Sequence, residues 1–210
     1  MQILVIASTS PEIQPLLDAD AGHDILITGV GIPAAVYHLQ KRMLQIDYDL
    51  VIQAGIAGSF KAGIKPGQVV LVKQDCFADL GIEENEMYTP VFETGLSDKN
   101  EFPFENGWLV NTNKILKTSS LLSVKAISVN KVSDSELQKL QFIKKFNADI
   151  ESMEGAALHY VCLQENIPFL QIRSISNYVG ERDKSKWKMQ EAIDNLNAAL
   201  FKLINGPACR

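Results

Sequence analysis

Short apolar runs recur along the chain and end at turn residues: QILVIA (2–7), DILITG (24–29), LVIQAG (50–55) and QVVLVK (68–73). They show little alternation of apolar and polar positions, so they read as strands buried on both faces of a sheet. Between them, PEIQPLLDA and PAAVYHLQKRML have helical spacing, and Pro33 suits a first helical turn, where its missing N–H costs nothing. After a polar stretch (80–106) come a helix-like GWLVNTNKILK, a strand VKAISVNKV and a helix SDSELQKLQFIKKF. ADIES, a helix MEGAALHYVCLQEN, a strand IPFLQIRSIS and a last helix over 185–204 complete the chain. This α/β order predicts a central sheet covered by helices on both faces, with a ligand beyond the carboxyl ends of the strands.

Composition narrows the class. The 210 residues are 46% hydrophobic and 21% charged, with no linker-like stretch, which predicts one domain over residues 1–210. A net charge of −5 argues against nucleic acid as a partner. The opening MQILVIASTSPE has no basic n-region, and no apolar run reaches the length of a membrane span, so a cytoplasmic protein with no membrane partner is expected. Cys76, Cys162 and Cys209 are too scattered for a disulfide framework and are expected to be reduced. His23, His38 and His159 show no ligand spacing, so neither a metal nor an organic cofactor is expected.

Four stretches carry candidate chemistry. In TGVGIPAA, Gly29, Gly31 and Ala34 have the spacing of a pyrophosphate fingerprint, but they follow the second strand rather than the first. The alternative is a tight turn lining a ligand pocket. QAGIAGSF reads as a second small-residue turn, where Gly55, Ala57 and Gly58 let backbone approach a ligand. In IESMEGAALHYVC, a helical stripe of Met153, Ala156, Ala157, Tyr160 and Val161 leaves Glu154 off the core face at a helix start. There it serves either a ligand or the helix dipole alone, the latter worth about 0.3–1 kcal/mol. RSISNYVGERD turns polar at a strand end, bringing Arg173, Ser176 and Asn177 together.

ESMEGAALHYVC, followed by RSISN and preceded by TGVGIPAA and GIAG, resembles the nucleoside phosphorylase and nucleosidase superfamily over almost the whole chain. The stretch SISNYVGERDKSKW resembles its futalosine hydrolase branch, which belongs to an alternative menaquinone route, more than the adenine-specific nucleosidases. The resemblance implies a three-layer αβα sandwich with a central mixed sheet, cleavage of a purine nucleoside at its N-glycosidic bond, and at least a homodimer. It makes Glu154 the acid that holds the ribose hydroxyls, Met153 its neighbour beside the sugar, and Glu12 the acid that activates water. Glu12 departs from the nucleosidase pattern by about one residue in its spacing from the first strand. Val30, Ile56, Ala57, Gly58 and Val132 are implied as substrate contacts. Arg173 and Ser176 match positions that support the base-side residue, although Arg173 also suits a structural ion pair. Arg182 and Trp187, within GERDKSKWK, form either a lid that recognises a carboxylate on the 5′ substituent or a solvated helix start.

The chemistry accounts for these residue types. Breaking a ribosyl–purine bond builds positive charge on the sugar and negative charge on the base, so a carboxylate near ribose and donors near the base favour the transition state. A second carboxylate accepting the proton of water is worth about 10²–10⁴-fold. Phosphorolysis needs cations or a cluster of donors for phosphate; the resembling phosphorylases carry arginines near the first and third strands, whereas this chain has none before Arg42 and none in GIAGSF. The adenine-releasing nucleosidases that the chain resembles carry aspartic acid where Asn177 stands. An amide both donates to N7 or O6 and accepts from a ring N–H, which suits hypoxanthine. It also avoids the roughly 4 kcal/mol needed to hold an Asp protonated three pH units above its usual range. The expected reaction is hydrolysis of futalosine to hypoxanthine. The rivals are a methylthioadenosine/S-adenosylhomocysteine nucleosidase, a 6-oxopurine phosphorylase and a non-catalytic nucleoside-binding protein.

Overall fold

The computed structural model describes residues 1–19 and 22–206; Cys209 lies outside them. The elements run β1 (Ile3–Ala7), a 3-10 turn (Ser10–Ile13), α1 (Gln14–Asp18), β2 (Asp24–Ile27), α2 (Ile32–Met43), β3 (Leu50–Ser59) and β4 (Val69–Asp75). Then come β5 (Gly81–Glu84), β6 (Met87–Pro90), β7 (Leu109–Val110), α3 (Ile115–Thr118), β8 (Leu122–Ser128), α4 (Glu136–Phe146), β9 (Ile150–Ser152), α5 (Gly155–Gln164), β10 (Phe169–Tyr178) and α6 (Met189–Ile204).

The lack of alternation in β1 has a direct cause. Ile3, Val5 and Ala7 point to one face and pack with Leu16 of α1 and Leu196 and Leu200 of α6. Leu4 and Ile6 point to the other and meet Leu39 and Met43 of α2 and Leu158 and Val161 of α5. Successive side chains thus enter two separate cores, which makes the three-layer αβα arrangement with its mixed central sheet. Each such buried aliphatic chain stabilises the fold by about 1.5–3 kcal/mol. α5 is buried nearly all round: Leu158, His159 and Cys162 are inside with Ala156, Ala157 and Val161 of the expected stripe, while Tyr160 and, before the helix, Met153 are half-buried.

β3 takes part in two structures. Its first half pairs with β1 on one side, from Ile3↔Leu50 to Ile6↔Gln53, and Val51 to Ser59 pair with β10 on the other, with a register shift between Ile175 and Asn177. Beyond the end of β1 the vacated edge is taken by β9, through Gly58↔Glu151 and Ser59↔Ile150. Because β10 also pairs with β4, β4 with β8 and β8 with β9, the strands β3, β10, β4, β8 and β9 close on themselves. Ala57, Val70, Val72, Val124, Ala126, Ile150 and Ile175 fill that closed part. The reading of GIAG as a turn is therefore corrected: it is the second half of β3, and its glycines sit where the strand changes partners.

Two further expectations change. GWLVNTNKILK is not one helix but β7, paired to β4, followed by the single turn α3. Its asparagines explain the break, since Asn111 Oδ1 accepts from Asn113 N at 2.9 Å and Asn113 Oδ1 from Ile115 N at 3.0 Å, bonds that compete with a continuous helix. The polar stretch 80–106 contains the hairpin β5–β6, turned by Asn85 and Glu86 at φ 50° and 64°. No helix among the described residues is long and apolar enough to cross a membrane. Cys76 and Cys162 are free and buried.

Candidate active site

The carboxyl ends of β1, β3 and β10 and the segment from β9 into α5 open on one cavity of about 450 Å³, within the usual range for a small-molecule site. Glu12 enters it from the 3-10 turn after β1. Its Oε2 accepts from Thr9 N at 2.9 Å and Thr9 Oγ at 3.0 Å, and its Oε1 from Ile56 N at 3.2 Å. Asn197 of α6 donates to the Glu12 carbonyl at 2.9 Å and holds the turn from behind. Side chain and backbone are thereby fixed by three elements.

Glu154 is the N-cap residue of α5 and is buried. Its Oε1 accepts from Gly31 N at 2.9 Å. That bond decides between the two readings of TGVGIPAA. Gly29 and Gly31 adopt φ of 83° and 92°, which an L side chain resists, and the amides at the start of α2 are spent within the protein. Gly31 N goes to Glu154, and Ile32 N goes to Asn130 Oδ1 at 3.2 Å. The turn lines the cavity through the exposed Val30 and is no pyrophosphate cradle.

Asn177 stands at the end of β10, paired in register with Gly58. Ser176 Oγ donates to Asn177 Oδ1 at 2.7 Å, and Asn177 Nδ2 donates to the Tyr178 carbonyl at 2.9 Å. One amide hydrogen and one carbonyl lone pair remain for a ligand. Ile56, Ala57, Gly58, Val132, Met153, Ser176, Arg182 and Trp187 line the same cavity. Arg182 lies 5.5 Å from the centre of the Trp187 ring, and Trp187 Nε1 donates to the Glu181 carbonyl at 2.9 Å, so this polar loop is folded against the opening.

Arg173 is the one candidate that the structure removes from the cavity wall. Its guanidinium is buried beneath Gly55, donating to Gln53 Oε1 at 2.9 Å and to the Ile56 carbonyl at 3.5 Å. A side chain at Gly55 would collide with it and would stand 3.0 Å from Glu12 Oε1. Arg173 therefore braces the backbone that holds Glu12 and does not reach Asn177.

A second polar assembly lies within the fold. Asp75 Oδ1 accepts from Cys76 N at 2.8 Å and Ser128 Oγ at 3.1 Å, and burial pushes its carboxyl up to about 7 against the pull of Arg173. Ser128 Oγ in turn accepts from Ala156 N at 2.8 Å, which fixes the first turn of α5 and so Glu154. His159 Nδ1 donates to the Leu109 carbonyl at 2.9 Å; complete burial holds this imidazole down to about 4, hence neutral.

The sequence reading missed Glu151. It lies on β9, lines the cavity and is 8% exposed. Desolvation, with a smaller push from Asp79 and an opposing pull from Arg182, raises its carboxyl to about 7. Among the described lining residues Arg182 is the only cation, beside Glu12, Glu151, Glu154 and Glu181. No group of three or more described His, Cys, Asp or Glu residues is placed to hold a metal ion.

Residues 21–205 match the model of the phosphorylase superfamily. The chain belongs to that superfamily. It is 28% identical to the futalosine hydrolase of Thermus thermophilus over 87% of this chain and 81% of that protein. It is 26% identical to the 5′-methylthioadenosine/S-adenosylhomocysteine nucleosidase of Buchnera aphidicola, over 86% of this chain and 77% of that one. The fold superposes on the futalosine hydrolase of Helicobacter pylori with a TM-score of 0.79 at 15% identity, covering 97% of each chain.

Proposed function

We propose that this superfamily member is an N-glycosidic hydrolase that cleaves futalosine with water to give hypoxanthine and dehypoxanthinylfutalosine. The observation that carries this reading is the meeting of Glu12, Glu154 and Asn177 in a cavity with a single cation among its described lining residues. Similarity to the Thermus protein favours the same substrate.

Glu154, oriented by Gly31 N, accepts the ribose hydroxyls and faces the positive charge that grows on the sugar. Glu12, fixed by Thr9 and Ile56, takes the proton of the attacking water as that water bonds to C1′. Asn177 reads the N7 and O6 edge of the base by donating one amide hydrogen. A bond of this kind to a base gaining charge contributes about 1.5–3 kcal/mol. Phosphate would meet four carboxylates and one guanidinium in this cavity, a balance that favours water as the nucleophile. In this reading Arg182, stacked on Trp187, pairs with the carboxylate of the 5′ substituent. The proposal includes one domain over residues 1–210, at least a homodimer, the cytoplasm as its compartment and a step in menaquinone biosynthesis.

The test is incubation of the purified protein with futalosine, inosine and methylthioadenosine in phosphate-free buffer, with free base followed by chromatography. Hypoxanthine from futalosine is the expected product. Adenine from methylthioadenosine with futalosine untouched, or release that requires phosphate, would overturn the assignment.

A further inference from the structure

The catalytic scheme lacks one element: an amide such as Asn177 stabilises a departing purine but cannot give it a proton. Strand register points to the group that can. Gly58 of β3 is paired with Asn177 of β10 on one side and with Glu151 of β9 on the other. β10 bulges at Ser176 just before Asn177, yet Asn177 and Glu151 both line the cavity wall, two strand spacings or about 10 Å apart along the sheet. Gly58 itself adds no side chain there, and Val179 packs over it, with Cγ2 3.0 Å from where a Cβ would stand. Glu151 lines the cavity, is buried, and its carboxyl accepts no hydrogen bond among the described residues, whereas Glu12 and Glu154 are both tied to backbone amides.

We infer that Glu151 is the leaving-group acid, donating its proton to the edge of the purine opposite Asn177. This rests on the purine-nucleoside reading above. As the C1′–N9 bond breaks, its electron pair stays with the base. On the edge facing Glu151 a 6-oxopurine nucleoside already carries hydrogen on N1, so N3, with its free lone pair, takes the carboxyl proton. Glu151 is left as a carboxylate, water oxygen bonds to C1′, and Glu12 holds the proton that water lost. Exchange with solvent after product release returns both acids to their starting forms.

The surroundings keep such a proton in place. Burial and Asp79 raise the Glu151 carboxyl to about 7, and Arg182 lowers it. Glu181 on the loop after β10, Glu154 beyond β9 and Glu12 across the cavity are the other charged groups lining the site. All three are acidic, so none stabilises an ionised Glu151.

The experiment compares wild type, Glu151→Gln and Glu151→Ala, with circular dichroism melts to verify folding. In Glu151→Gln, kcat for futalosine is expected to fall about 10²–10⁴-fold with KM within about threefold, the usual range for loss of a general acid. The decline of wild-type kcat above about pH 7 is expected to disappear in the variant. Turnover within about threefold of wild type, or an unchanged alkaline limb, would overturn the role. If the wild type spares futalosine but releases base from another purine nucleoside, the substrate assignment fails and the same two readouts on that nucleoside decide Glu151. If it releases base from none, both readings fail.

Discussion

Two polar assemblies share β10 and α5, and they are held together differently. The cavity takes Ser176, Asn177 and Glu154 from these elements, and its catalytic candidates are oriented largely by backbone amides: Thr9 and Ile56 for Glu12, Gly31 for Glu154. The closed assembly takes Gln171, Arg173 and His159 from the same elements and is built mainly of side chains around Asp75. Asp75 Oδ2, both polar atoms of the Gln171 amide, His159 Nε2 and Arg173 Nε make no hydrogen bond of full geometry among the described residues, while Gln171 lies close enough to Asp75 and His159 to favour their charged forms. Backbone donors fix a carboxylate while leaving its other lone pairs toward the ligand. A network of side chains serves to balance charge that no solvent reaches. Changes in the cavity should therefore alter turnover and spare stability, and changes in the closed assembly should do the reverse.

Glu154→Gln gives the largest separation. With the ribose carboxylate neutralised, kcat is expected to drop about 10³-fold, the upper part of the range for losing one preorganised electrostatic contact, while the melting temperature stays within a few degrees of wild type. Near-normal release of hypoxanthine would remove Glu154 from the reaction. Glu12→Gln should cost about 10²–10³-fold through loss of the proton acceptor; an equal loss of thermal stability would mark Glu12 as a capping residue only. Asn177→Asp tests the base edge. Adenine release from methylthioadenosine should rise and futalosine turnover fall, and unchanged ratios of kcat/KM for the two substrates would place specificity elsewhere.

Gly55 joins the two assemblies, and Gly55→Ala should disturb both. The added methyl enters the space of the Arg173 guanidinium, so overpacking of about 1–3 kcal/mol is expected in denaturant unfolding. Because Glu12 Oε1 borders the same space, kcat should fall as well. A variant that loses stability at full turnover would uncouple Arg173 from Glu12.

The sequence made the layers legible because β1, β3 and β10 are buried on both faces and read as apolar runs, with the half-buried β2 at the edge. Asn177 was legible for the same reason, standing where such a run turns polar. Glu12 and Glu154 acquired roles only through resemblance, since the spacing of either fits an ordinary capping or dipole function as well. Arg173 was misplaced because the residue under Gly55 depends on the pairing of β3 with β10, across more than a hundred residues of chain. Glu151 had only a weak local signal. It lies on a strand of three residues, and its direction follows from the closure of β9 onto the far half of β3. A two-residue alternation from Ile150, buried in the closed part of the sheet, would have turned Glu151 away from that interior, and was the one available clue.

The smallest effect is a slope in stability with pH, and it isolates the closed assembly. Asp75 binds its proton up to about pH 7 in the folded chain, against an ordinary value of 3.8. Between those values the folded state holds more protons than the unfolded one, so Asp75 makes stability fall as pH rises, by at most about 1.4 kcal/mol per pH unit. Glu151 acts in the same direction between 4.5 and about 7. His159, held neutral down to about 4 against 6.5, acts in the opposite direction over most of that window. Asp75→Asn removes one member of this set and leaves the others. Relative to wild type, the variant should therefore gain stability as pH rises from 4.5 to 7.5, whatever its offset at a single pH. Urea unfolding at these two values measures the change, and turnover should stay within about threefold of wild type. A constant difference between the two proteins across the window would mean that Asp75 is already ionised inside the fold. Burial would then be outweighed by Arg173 and the Ser128 hydroxyl, and the closed assembly would resemble the cavity in holding its charge.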